Sequence, residues 1–231
     1  MSCTECGRKG GCEAHKGGMF AAIDETLRRL YPTRRWAERD DEAGFGAGVT
    51  PDEGAALAGA MATRLKALAV HCPGKPDEIC DYVYVLCVGR PPSLIEIREQ
   101  LVEAPEEVDG VHELYLRVAL SSVARMAVVQ EVAVHAERYG RTQGIVEAPR
   151  TGVFDPVLLK RFRSLVAVLA EHDVRHLDFG DILEPPSGFD PGDYAARYGA
   201  SPGVANYLFY PQPPGAVMTT FLPTAFLPPA I

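Results

Sequence analysis

Three cysteines and a histidine fall within thirteen residues near the start of the chain, as Cys3, Cys6, Cys12 and His15 in the spacing C-x2-C-x5-C-x2-H. Thiolate and imidazole are metal ligands only when deprotonated and brought to one point. A C-x2-C pair achieves this with a tight turn that presents both sulfurs to one side. Gly7, Gly10 and Gly11 let the following loop curl back so that Cys12 joins them, because glycine adopts turn geometries at little cost. Arg8 and Lys9 offset thiolate charge. With His15 as fourth donor, a structural zinc site closes within the segment. Apolar side chains are nearly absent here, so packing alone does not order it.

The same spacing suits an iron–sulfur cluster. C-x2-C-x5-C resembles the cluster-binding pattern of endonuclease III-type DNA glycosylases and of the Wbl family of iron–sulfur regulators. Both carry a further cysteine upstream, where this chain has only Met1 and Ser2. The resemblance spans ten residues and implies that Cys3, Cys6 and Cys12 hold a [4Fe–4S] cluster whose last ligand comes from elsewhere. Cys72 is the candidate, because Pro73 follows it as proline follows the last ligand of bacterial ferredoxin motifs. The cofactor expectation is thus [4Fe–4S] on Cys3, Cys6, Cys12 and Cys72, with zinc on Cys3, Cys6, Cys12 and His15 as the alternative. Cys80 and Cys87 lie in an apolar run and read as small buried hydrophobes.

Other polar groupings carry less chemistry. Glu131 and His135 fall one turn apart if residues 109–139 are helical, as do Glu113 and Arg117, with His112 beside them. Such pairs are ordinary helical ion pairs or hydrogen bonds. The densest polar stretch runs from Glu171 to Asp181 and contains His172-Asp173. That dipeptide resembles the paired residues of HD-type phosphohydrolases, which require additional His and Asp residues; a solvated helix end is the simpler account. Trp36, the single tryptophan, sits beside Arg34 and Arg35 and reads as a partly buried anchor. Glycine-rich nucleotide loops and the G-x-S-x-G elbow do not occur.

The elements that would position these groups read as helices. Phe20, Ile23, Leu27 and Leu30 share one face of a segment from Met19, after a Gly17-Gly18 hinge. Thr50-Pro51-Asp52-Glu53 is a capping-box start for a helix whose apolar face runs through Leu57, Met61, Leu65 and Leu68 towards His71, stopped by Cys72-Pro73-Gly74. Helices are expected from Pro76 to about Cys87, although Tyr82 to Val85 also suit a strand, and from Ser93 to about Glu103. The longest is expected over 109–139, with Val111, Leu114, Tyr115, Val118, Met126, Val129 and Val132 as its stripe, and another from Asp155 to Glu171. The expected fold is therefore all-α: an irregular helical bundle around one long central helix. Its expected divisions are a Cys-rich head (1–18), a helical body (19–184) and an extended arm rich in Pro and aromatics (185–231). That arm holds ten of the nineteen prolines.

Net charge bounds the partners. The chain carries −8 overall, but residues 1–39 hold eight basic and five acidic side chains. This excludes nucleic acid as the main partner and favours an acidic protein meeting the basic head, or a protein bound by the arm. No secretory signal or membrane span is expected, and C-x2-C usage fits a reducing bacterial cytoplasm. The expected function is a [4Fe–4S] accessory protein of electron transfer, redox sensing or metallocentre assembly, more an adaptor than an enzyme. A zinc-knuckle interaction protein is the alternative.

Overall fold

The computed structural model describes residues 11–36, 38–44, 46–74, 79–86, 110–139, 142–149, 153, 156–178 and 182–209. Helices α1 (Gly11–Leu30), α2 (Asp41–Gly44) and α3 (Pro51–Leu65) come first, followed by strands β1 (Ala69–Cys72) and β2 (Cys80–Leu86). Then come β3 (Gly110–Ser121), β4 (Met126–Tyr139), β5 (Thr142–Pro149), helix α4 (Pro156–Glu171), β6 (Arg175–Leu177) and short helices α5 (Tyr194–Tyr198) and α6 (Val204–Leu208).

A mixed sheet replaces the expected bundle. Strands β1 to β5 are antiparallel neighbours in chain order. The 109–139 segment, expected to be one long helix, is the β3–β4 hairpin, paired from Gly110↔Ala136 to Leu120↔Ala127 with a register shift between Val111 and Glu113. The expected helix over 76–87 is likewise corrected, since Cys80–Leu86 is strand β2. The reason is two-sided burial. A strand covered on both faces reads as a near-continuous apolar run, in which a helical stripe can also be found. The valines of MAVVQEVAV decide for strand, because β-branched side chains suit a pleated surface.

β4 serves two partners on its second edge. β6 runs parallel to it over Met126–Val128, and β5 antiparallel over Val132–Tyr139. One face of the sheet carries Val83, Val85, Leu116, Val118, Leu120, Ala127 and Val129, packed against Leu57 and Met61 of α3 and Leu158, Leu165 and Leu169 of α4. The opposite face carries Cys80, Ala119 and Val128 against Ile23, Leu27 and Leu30 of α1 and Ala205, Tyr207 and Leu208 of α6. Layers on both sides of this largely antiparallel sheet bury its two apolar faces.

Two helices form where their local chemistry predicts. Thr50 caps α3: its hydroxyl accepts from Glu53 N, and the Glu53 carboxylate accepts from Thr50 N at 2.9 Å. α4 occupies the stretch expected from Asp155 to Glu171. α1 starts earlier than expected and continues through Gly17-Gly18 without a hinge. In the arm, Gly199 (φ 72°) ends α5, and α6 together with Phe209 is buried in the core. The expected helix over 93–103 and the positions Cys87 and 210–231 lie outside the described residues. Among the described residues, no helix is long and apolar enough to cross a membrane.

Candidate functional site

α1 carries two of the predicted ligands. Cys12 and His15 stand three residues apart near its start, about one helical turn along the backbone. The loop expected to carry Cys12 back toward the first pair is instead helical from Gly11. Cys3 and Cys6 lie outside the described residues.

Cys72, the predicted fourth cluster ligand, ends strand β1 rather than a helix. It is half-buried opposite Tyr82 and packs against Tyr84, Tyr115 and Val132. Cys80 begins β2 and is buried, as expected of a small hydrophobe. Among the described residues, no three His, Cys, Asp or Glu side chains gather as a metal site. Glu131 and His135 are four positions apart on β4, so their Cα atoms are separated by about 13 Å at the strand rise. The same geometry separates Glu113 from Arg117 on β3. The one-turn spacing expected of a helix is therefore absent from this backbone.

The sheet holds polar groups that the sequence reading did not join. Asp81, 5% exposed, accepts from the His71 ring Nε2 at 2.8 Å and from Gly74 N at 2.6 Å. This carboxylate ties edge strand β1 and its following turn to β2. α3 approaches the pair closely: a Cβ on Gly54 would lie 2.5 Å from His71 Nε2. On the opposite face, buried Arg117 donates Nη2 to Gln130 Oε1 at 2.9 Å, and its guanidinium lies 5.7 Å from the Tyr82 ring centre. The Tyr84 and Tyr115 rings lie beside them, centres 5.6 Å apart and tilted at 58°. A single arginine within LYLRVAL was the one sequence signal for this cluster.

His172-Asp173 lies in the turn after α4, with both side chains exposed and Asp173 at φ 57°. It supplies main-chain oxygens: Arg125 Nη2 bonds His172 O at 2.7 Å, and Arg125 Nη1 bonds Glu53 at 2.9 Å. The hydrogen bond from Thr50 N, helped by Arg125, holds the Glu53 carboxyl below its usual pKa. This corner clamps the β3–β4 turn between α3 and α4. It is a structural role for the dipeptide, and no further His or Asp joins it among the described residues.

Trp36 is the centre of an aromatic cluster, with ring centres 4.8 Å from Tyr194 and 5.1 Å from Tyr207, both edge-to-face. Burial pushes the phenols of Tyr194 and Tyr207 up to about 12 and that of Tyr31 higher still. All three therefore stay neutral near pH 7, and Tyr31 donates to Tyr207 O at 3.0 Å. This geometry packs a core rather than shuttling protons.

His176 in β6 stands edge-on to Phe162 at 5.2 Å. Burial lowers its pKa, and Asp178 opposes that shift only in part. The unfolded chain therefore takes up this proton first as pH falls, and stability present above about pH 6.5 declines below it. Urea midpoints should fall on acidification below that pH. His176→Gln should show a shallower fall than the parent; an unchanged slope would remove His176 as the cause.

No protein-family model matches the chain, and no curated protein or solved structure is significantly similar to it.

Proposed function

We propose that this chain is a non-catalytic, metal-binding interaction protein of the cytoplasm whose basic head holds one zinc ion through Cys3, Cys6, Cys12 and His15. The observation that carries this reading is the helical spacing of Cys12 and His15 near the start of α1. A C-x2-C turn then supplies two ligands and one helical turn the other two, which completes tetrahedral coordination. Arg8, Lys9 and Lys16 surround the site with positive charge, suited to an acidic face on a partner protein. The [4Fe–4S] reading, with Cys72 in place of His15, draws on the Cys-Pro signature at Cys72-Pro73.

Elemental analysis of protein purified without oxygen separates these outcomes. The proposal expects a colourless protein with about one zinc per chain, lost in Cys6→Ala and in His15→Ala while the sheet stays folded. A brown protein with iron and acid-labile sulfide, retained in His15→Ala and lost in Cys72→Ala, would establish the cluster instead. Absence of both metals would end the metal reading.

A further inference from the structure

Helix α4 carries Lys160, Arg161 and Arg163 within one turn, and it holds no carboxylate before Glu171. Glu171 is already engaged, accepting from Arg64 at 2.8 Å. Among the described residues, no acidic side chain forms an ion pair with any of the three cations. On other helices, by contrast, Arg28 is matched with Asp24 and Arg197 with Asp193. Like charges one turn apart repel, and the N-terminal half of a helix favours acids over bases. This turn therefore subtracts from the stability of the fold. Beside the cations, Leu159 leaves 37% of its surface exposed, whereas Leu158, Leu165 and Leu169 are buried in the core. Leu159 and Arg163 stand four residues apart and so share one helix face.

We propose that this turn of α4 is a docking surface for an acidic segment of a partner protein, with Leu159 as its apolar contact and Lys160, Arg161 and Arg163 as its charge. Carboxylates on the partner would supply the counter-charge that the chain itself leaves out. A bilayer is a poor occupant, because the apolar face that a membrane-surface helix needs is here committed to the sheet. Nucleic acid is also a poor one, since three cations on a chain of net charge −8 neutralise few phosphates. The surface belongs to the described fold and does not depend on the metal reading of the head.

Binding of a fluorescently labelled peptide of repeated Glu-Glu-Leu triplets to the full chain, followed by anisotropy, tests this. The peptide should bind, and added salt should weaken it. Lys160→Glu/Arg163→Glu should lose at least about tenfold in affinity, and Leu159→Ala about threefold. Arg8→Glu/Lys9→Glu, in the head, should change it little. The urea midpoint of Lys160→Glu/Arg163→Glu should match or exceed that of the parent, which separates lost binding from lost folding. No binding, an unchanged affinity in the α4 variant, or a loss only in the head variant would overturn the proposal. A lowered urea midpoint would also overturn it, because the cations would then serve the fold. Tighter binding to a DNA duplex or to phosphatidylserine vesicles than to the peptide would assign the surface to another partner and overturn it as well.

Discussion

Replacing Gly48 by alanine should destabilise the protein by at least about 3 kcal/mol, well beyond a typical surface substitution. A Cβ there would lie 2.1 Å from the Ser122 carbonyl carbon, 2.2 Å from its oxygen and 2.5 Å from Val123 N. All three atoms are backbone, so no side chain can rotate away. The next residue makes the contact costly to release. Val49 N donates to Ser121 O at 2.9 Å, and the Val49 side chain is buried in the core against α3 and α4. Moving the loop back would break that bond and disturb Thr50, the α3 cap; moving the hairpin turn would strain the β3–β4 end of the sheet. Urea denaturation checks this, and a loss under about 1 kcal/mol would show that the two segments have room to separate.

The second large effect belongs to Asp81. Asp81→Ala leaves His71 and Gly74 N without the acceptor they share, at a site where both side chains of the pair are nearly buried. A buried donor left unmatched costs about 1–3 kcal/mol, so the total should reach about 2–4 kcal/mol. The damage should be local in direction, loosening β1 before the inner strands. Amide exchange in Ala69–Cys72 should quicken more than in β3. A double-mutant cycle with His71→Ala separates the pair from the turn: coupling should be positive but smaller than the Asp81→Ala loss, the remainder being the Gly74 bond. Equal losses for Asp81→Ala and Asp81→Asn would show that the carboxylate charge, not its shape, is what β1 requires.

These two positions show why some of the fold was legible and some not. α3 could be read because its start is coded in four consecutive residues, Thr50 to Glu53, whose side chains bond each other. α4 could be read because one flank is apolar and the other charged, as in a surface helix. The β3–β4 hairpin had no such one-sidedness. Helices cover one face of it and the α1–α6 layer part of the other, so apolar residues stand on both faces at most positions from Tyr115 to Val132. A run like that fits a stripe at helical spacing as readily as a buried strand. Reading it as helix put Glu131 beside His135 and made the fold all-α; the valines and the Ser-Ser-Val-Ala-Arg turn pointed the other way.

What the sequence alone determined about this protein is its short-range chemistry. The C-x2-C-x5-C-x2-H spacing and the Thr50 cap each lie within a few residues of chain. Only tertiary structure decided which distant groups meet. His71 finds Asp81, Arg117 finds Gln130, and Gly48 is pressed against Ser122, because strand register and layer packing join residues that local propensity treats as strangers. Register moves every side chain of a strand to one face or the other at once. A misread element therefore loses its whole set of partners together, while a cap closed within four residues, as from Thr50 to Glu53, survives the error.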